Sequence, residues 1–321
     1  MHNPRLLNPV WVALLLMFPG AGCSPPPKPD TTPPRVLATV PADGQRGVLR
    51  DAQLVVRFSE PMDPDCSEAA YGSSSAGLRP NEVSFHWDDP ATMRIIPGDY
   101  LTYSPDANDK TYTFVIKETA CDEAGNTMAS SHTTRFYVLR KLAGVIKSQG
   151  ALDGYVFKAG RIDTGGRDLG AGDGPNGECA RAFLSFDLSE LNPDPVEVRS
   201  ARLLFKVRHI TGNPAADLGA LLVEHVHYGP QLTSQAFNLG TLSPQQPCSL
   251  SNLTGPWLSC WKGVEVQDDV AHWLERRGMV QFRLRFSRDT DGDAAEDSAM
   301  FYSGDAADSE RPFLEVVYYA P

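Results

Sequence analysis

The sequence predicts an all-β protein with an N-terminal β-sandwich and a C-terminal jelly-roll β-sandwich. Proline (26 residues) and glycine (27 residues) are frequent, and both interrupt helices and mark turns. Val, Thr, Tyr and Phe fall in short runs, as in strands, and long helical periodicity is almost absent. With 321 residues the chain is long enough for two domains of ordinary size.

The first two dozen residues predict export. Arg5 gives a positive start, residues 10–18 are an unbroken apolar run, and Gly20, Ala21 and Gly22 lead to Cys23. The apolar run is about half of the roughly 20 residues that a membrane-spanning helix needs, so we expect no permanent transmembrane segment.

This stretch resembles a bacterial lipoprotein signal peptide, over residues 1–22. The resemblance implies that Cys23 receives a diacylglycerol and becomes the new N-terminus, so that the membrane partner is contacted through an acyl anchor. Ser24 resembles the pattern retained at the outer membrane, facing either the periplasm or the cell surface. The alternative is ordinary secretion, since Gly20 and Gly22 also suit a general signal peptidase.

The charge excludes one class of partner. The formal net charge is -11 and there is no basic cluster, whereas phosphate binding needs Lys and Arg to replace counterions. We therefore expect no nucleic-acid partner.

Cysteine usage fits an oxidising compartment. Cys66 and Cys121 are the natural pair in the first half of the chain. Cys248 with Cys260 is the favoured second disulfide, and Cys179 with Cys248 is its rival. No two cysteines have the close spacing of a zinc knuckle, so zinc is not expected.

Residues 23–34 predict a proline-rich linker, and residues 35–139 predict the first sandwich. Strands are expected near residues 35–40, 53–58, 83–87, 93–96, 111–117 and 133–139. The segments that follow resemble the bacterial (S-layer-type) Ig-like domain, which implies a spacer or stalk: residues 40–44, Val48, residues 58–63, residues 112–114 and residues 122–126.

Residues 140–147 predict a second linker, and residues 148–321 predict the jelly roll. Longer strands are expected near residues 154–159, 180–188, 200–210, 219–228, 280–287, 299–303 and 312–319. Within residues 202–208, Leu203, Phe205 and Val207 alternate with mostly polar neighbours, so they predict the buried face of a strand. Residues 264–277 show helical spacing and predict a short helix or turn.

Five segments of this half match a known family: residues 152–156, 183–189, 200–203, 268–270 with Trp273, and 311–316. Together they resemble the DNRLRE family, a disaggregatase-related β-sandwich akin to some carbohydrate-binding modules. The motif that names the family is absent, and residues 165–172 are a loose version of its glycine-rich loop. The resemblance implies a fold more than it implies a ligand.

An acidic segment predicts a calcium site. Asp289, Asp291 and Asp293 alternate around Gly292, and calcium prefers six to eight oxygen ligands. We expect Asp153 to approach from the first strand of this half. The alternative is a solvated acidic hairpin loop.

Two tryptophans predict a saccharide platform. Trp257 and Trp261 bracket Cys260 in a loop, and an exposed indole can stack on the apolar face of a sugar ring. The alternative is that one or both cap the core, as Trp273 is expected to do. His225 and His227 lie on one face of a strand, where cross-strand packing is the main expectation and metal ligation the other.

No nucleophile elbow, metal-protease helix, phosphate loop or dinucleotide fingerprint is present, so we expect no enzyme. The sequence favours a lipid-anchored envelope protein whose Ig-like stalk presents a polysaccharide-binding jelly roll. The alternative is a structural or adhesive lipoprotein that binds protein partners and has no saccharide site.

Overall fold

The structure, a computed structural model, describes residues 28–244, 246–248, 260–274 and 278–321. It confirms an all-β architecture of stacked antiparallel sheets, with few short helices. Within this part of the chain, no helix is long and apolar enough to cross a bilayer.

The first domain is a sandwich of a four-stranded and a three-stranded sheet. Its elements are β1 (Val36–Val40), β2 (Leu54–Phe58), α1 (Pro64–Ala69), β3 (Tyr71–Gly72), β4 (Val83–Asp89), β5 (Thr92–Pro97), β6 (Thr111–Ile116) and β7 (His132–Tyr137). The strand order is β1-β2-β5-β4 in one sheet and β3-β6-β7 in the other. Leu54, Phe58, Ile95, Phe114 and Phe136 fill the space between them.

Helix α1 follows from its local sequence. Asp63 caps the helix by accepting a 3.0 Å hydrogen bond from the Cys66 amide, and Pro64 occupies the first turn. Cys66 on this helix is bonded to Cys121, as the sequence predicted. The disulfide thus ties α1 to the loop that follows β6.

The described part of the second domain contains twelve strands. Its elements are β8 (Arg140–Lys147), β9 (Gly154–Phe157), β10 (Ile162–Thr164), β11 (Asp168–Asp173), β12 (Cys179–Asp187), β13 (Glu197–Thr211), α2 (Pro214–Asp217), β14 (Leu221–Val226), β15 (Gln246–Cys248), β16 (Cys260–Glu265), α3 (Gln267–Leu274), β17 (Met279–Phe286), β18 (Asp297–Tyr302) and β19 (Phe313–Ala320). Short 3-10 helices occupy Leu188–Glu190 and Ser234–Asn238.

The strands pair in the order β15-β14-β17-β12-β11-β18-β13-β19-β8, with β16 on β13 and β9 on β12. Strand β13 shows the predicted alternation, because Leu203, Phe205 and Val207 are fully buried while Lys206 and Arg208 are not. These three side chains meet the inward face of β12 and β17 in one core. The alternate side chains of β13 point away from this core and can form other contacts.

One prediction about this region was wrong. Residues 140–147 are not a linker but strand β8, which pairs along its whole length with β19. The local sequence pattern does not show such backbone pairing to a distant strand. The predicted short helix is confirmed as α3, Gln267–Leu274, although Val264 at the start of the predicted range belongs to strand β16.

Candidate functional site

Trp261 lies on the outward face of the second domain. In the register of β13 with β16 it stands opposite Lys206, so the two side chains share the face opposite Phe205 and Val207. The indole is 37 % exposed, the largest exposure of any tryptophan in the described residues. Its ring meets Phe313 edge-on, with the ring centroids 5.1 Å apart.

Tyr302 extends this aromatic surface along β18. The Lys206 ammonium lies between the two rings, 6.0 Å from the Trp261 centroid and 5.6 Å from the Tyr302 centroid. Arg208 lies 5.9 Å from the Tyr302 ring. We call Trp261, Phe313, Tyr302, Lys206 and Arg208 the aromatic face. It alternates ring surfaces with hydrogen-bond donors, which is the combination that a polar ligand with apolar patches needs.

The cations of the aromatic face are paired. Lys206 lies 3.6 Å from Glu310, and Arg208 binds Asp168. The face therefore carries little net charge, although the whole chain is acidic. A neutral ligand fits it better than a highly charged one.

Of the two predicted platform residues, the structure describes Trp261. Trp257 lies outside the described residues, as does Cys23. Trp273 on α3 is buried in the hydrophobic core of the second domain, as predicted. The structure thus places one of the two predicted platform residues on an open surface.

A concave pocket of about 260 Å³ opens beside strands β9, β11 and β18. We call it the Tyr155 pocket. Tyr155 and Phe157 form an aromatic wall, with centroids 5.2 Å apart. The acidic lining residues are Asp173, Glu178 and Glu296, and Arg161 is the only basic one among the residues that line it. Burial raises the pKa of Tyr155 to about 12, and its hydroxyl donates to Asp163 over 2.9 Å.

Two glycines of β11 line the pocket. A side chain at Gly170 would lie 3.3 Å from the Met300 sulfur and 3.6 Å from the Tyr155 ring. At Gly172, whose φ is +123°, a Cβ would collide with the Asp297 carbonyl oxygen. The absence of side chains at these two positions therefore lets β18 and the Tyr155 ring approach β11 closely.

The predicted calcium ligands are split between different surroundings. Asp289 forms ion pairs with Arg181 at 2.8 Å and Lys158 at 3.8 Å. Asp291 and Asp293 instead group with Asp297, each offering an oxygen within 4.8 Å of the others. Asp297 is buried, and this burial raises the pKa of its carboxyl group.

Asp153 does not join this group, contrary to the prediction. Its carboxylate is buried and accepts hydrogen bonds from the Ser148 hydroxyl, the Ser185 amide and the Gly304 amide at 2.6–3.0 Å. Desolvation nevertheless raises its pKa to about 7. These bonds connect the end of β8 to β12 and to the turn after β18, so the residue is structural.

The second predicted disulfide is also absent. Cys248 and Cys260 are free thiols, and so is Cys179. The Cys248 side chain is buried in the core, whereas the Cys260 thiol donates to the Trp261 carbonyl at 3.7 Å. Burial raises the pKa of Cys248 and, to about 11, that of Cys179.

His225 and His227 pack around Trp273. The His227 ring stacks on the indole at 4.8 Å, and the buried His225 pairs with Asp269 at 3.2 Å. Neither histidine is part of a group of three potential ligands within the described ranges. Packing accounts for both.

Sequence reasoning missed the Tyr155 pocket and Tyr302. One signal was present, since Gly170 and Gly172 alternate within a strand and such glycines often mark the close approach of another group. Glu178 lies six residues after Gly172, but Glu296 is more than 120 residues away in the chain and reaches the pocket only because β11 pairs with β18.

Comparison with known proteins identifies the first domain. A family model described as a bacterial Ig-like domain matches residues 30–138, about a third of the chain. No protein with a curated description matches the sequence.

Similar solved structures include an L,D-transpeptidase from Mycobacterium smegmatis, at 15% identity, covering 69% of this chain and 79% of that one with a TM-score of 0.24. The N-terminal part of the bacterial S-layer protein SbsC has 15% identity, 48% and 40% coverage and a TM-score of 0.24. These TM-scores are too low to support any inference about function. The family match and the two-sheet architecture together show that the first domain is a bacterial Ig-like β-sandwich.

Proposed function

We propose that this chain is a non-catalytic protein of the bacterial cell envelope whose Ig-like domain presents the second domain to a polysaccharide. The observation on which this depends is the aromatic face, where Trp261 is exposed beside Phe313, Tyr302 and Lys206. The match to a bacterial Ig-like domain supports a structural or adhesive role at the cell surface.

Export and anchoring belong to the same proposal. A lipid on Cys23 and the proline-rich residues 24–34 would hold the Ig-like domain away from the membrane surface. Direct contacts between the two domains would then set the direction of the aromatic face. This arrangement suits an outer-membrane lipoprotein that reaches into the periplasm or to the cell exterior.

The chemistry of the aromatic face suits a neutral glycan. Sugar rings have an apolar C–H face that packs on indole and phenol rings. Their hydroxyl groups form hydrogen bonds with polar side chains at the edges of these rings. Lys206 and Glu310 supply a donor and an acceptor next to the rings. Because they already neutralise each other, a neutral sugar does not leave either of them unpaired.

A second candidate function is adhesion to a protein, and a different surface favours it. Leu49, Tyr100 and Val196 are 45 %, 73 % and 46 % exposed and border one concavity at the domain boundary. Exposed apolar groups of this kind are common at protein–protein contacts.

Calcium is proposed as a stabilising ion for the acidic segment. Asp291, Asp293 and Asp297 could each give one oxygen to a hard cation, which would relieve the repulsion between their carboxylates. The saccharide proposal does not require this ion.

Affinity gel electrophoresis tests the function. The full chain should be retarded in gels that contain its polysaccharide, and Trp261→Ala should remove the retardation. Tyr100→Ala, which alters an exposed aromatic residue of the first domain, should keep it. Retardation lost only in Tyr100→Ala would move the function to the domain boundary, and no retardation by any envelope polysaccharide would refute a saccharide module.

A further inference from the structure

We propose that the Tyr155 pocket binds a positively charged amino-sugar unit, that is, a hexosamine whose amino group is not acetylated. This inference rests on the proposed polysaccharide function and names the sugar class that a second subsite takes. The size of the pocket, its aromatic wall and its charge support this proposal.

The size of the pocket suits one sugar ring. The cavity of about 260 Å³ has the size of a single small ligand and is open to solvent on one side. Gly170 and Gly172 of β11 line it, and Met300 and Ser298 lie beside them on β18. A single pyranose ring can therefore enter the cavity.

The aromatic wall already accommodates a cation. The Arg161 guanidinium carbon lies 3.3 Å from the centroid of Phe157, in contact with the ring face. Tyr155 lies next to Phe157 and also lines the pocket. Aromatic faces attract cations through their quadrupole, so a ligand ammonium group finds a suitable surface here.

The charge of the pocket selects the ligand. Asp173, Glu178 and Glu296 contribute three negative charges against the one positive charge of Arg161, which leaves an excess of two. Glu178 is paired with Arg161 at 3.3 Å, whereas the polar partner of Glu296 is the neutral Ser298 hydroxyl, at 2.8 Å. Among the residues that the structure describes, Glu296 thus has no cationic partner.

The surroundings reinforce this preference. Asp291, Asp293 and Asp297, which lie within five residues of Glu296 in the chain, add negative potential when no calcium ion is bound to them. An ammonium group is attracted to such a site, a uronic acid is repelled, and an N-acetylated sugar gains nothing from the charge. A lysine side chain of a protein shares the ammonium chemistry but lacks the ring that the cavity accommodates.

Calorimetric titration of the full chain with monosaccharides tests the inference. Glucosamine should bind about tenfold more tightly than N-acetylglucosamine or glucose, as expected for one charge-assisted contact. The double variant Glu178→Gln/Glu296→Gln should abolish this preference, because it removes the excess negative charge. Glu123→Gln, an exposed carboxylate of the first domain, is the matched control and should keep it.

Two results would overturn the inference: equal binding of glucosamine and N-acetylglucosamine, or an unchanged preference in the double variant. Binding of free lysine as tight as that of glucosamine would show recognition of an amine alone and would equally overturn a sugar subsite. Trp261→Ala separates this site from the aromatic face. It should weaken polysaccharide binding and leave the glucosamine preference intact, so that each proposal can fail without the other.

Discussion

Arg50 of the Ig-like domain and Glu197 of the second domain form an ion pair across the domain boundary. The Arg50 Nη2 atom lies 2.9 Å from Oε1 and 2.8 Å from Oε2 of Glu197. Beside this pair, the rings of Tyr103 and Tyr319 meet with their centroids 4.8 Å apart. The domains are therefore joined by side chains as well as by the chain itself.

Pairwise coupling across this boundary is the first prediction. In double-mutant cycles on the free energy of unfolding, Arg50→Ala with Glu197→Ala should couple by about 0.5 kcal/mol, because the pair is partly exposed. Tyr103→Ala with Tyr319→Ala should couple by about 1 kcal/mol. Strictly additive effects in both cycles would contradict these contacts.

The second prediction concerns a buried ion network. Glu224 is fully buried and binds Arg283 at 2.6 Å and Arg285 at 2.8 Å. Glu224→Ala leaves the buried Arg283 charge without this carboxylate, so chemical denaturation should show a loss of about 3–5 kcal/mol. Glu315→Ala, at an exposed position of β19, is the control and should change stability by less than about 0.5 kcal/mol. A loss in Glu224→Ala as small as that in Glu315→Ala would show that the buried ion network does not stabilise the fold.

The third prediction is a pH dependence from Asp153. Its pKa is raised from 3.8 to about 7 by burial, so between these values the folded state binds the proton and the unfolded state does not. Stability from this group is therefore greatest below pH 4, is lost as pH rises from about 4 to about 7 and is constant above that, a total loss of about 4 kcal/mol.

Asp153→Asn tests this effect. The variant removes the titrating group, so its unfolding free energy should decline less than that of the wild type between pH 4 and pH 8. Parallel pH profiles for the two proteins would show that Asp153 titrates normally.

The fourth prediction concerns calcium. Adding calcium should raise the melting temperature by several degrees, since a ligand that binds only the folded state stabilises it. Asp293→Asn should remove most of the rise. If Asp293→Asn responds like the wild type while Glu60→Gln does not, the ion binds instead at the Asp30, Glu60 and Asp122 group of the first domain.

The sequence predicted most strands of the fold but few of their long-range partners. Alternation in residues 202–208 placed Leu203, Phe205 and Val207 in the core correctly, because burial on one face imposes a period of two. Apolar and polar residues alternate less clearly in residues 140–147, so the sequence predicts a linker there. Only the pairing with β19, nearly 180 residues away in the chain, makes them a strand.

Only part of the candidate site could be predicted from the sequence, because the site also depends on pairing between distant strands. Trp261 was recognisable from its residue type, since an indole in a polar segment is a common ligand platform. Its neighbours Phe313 and Tyr302 come from separate strands, and their proximity depends on how β13 pairs with β16, β18 and β19. Asp153 was misassigned because a buried carboxylate and an exposed one look alike in sequence.

Photoaffinity mapping of the bound saccharide tests the central claim most directly. A diazirine-tagged oligosaccharide, prepared from the polysaccharide that retards the wild-type chain, is cross-linked to the protein and located by mass spectrometry. We expect labels on β16, β18 and β19, around Trp261, Tyr302 and Phe313, and their loss when untagged polysaccharide competes. Labels confined to the Ig-like domain or the domain boundary would contradict a saccharide site on the aromatic face.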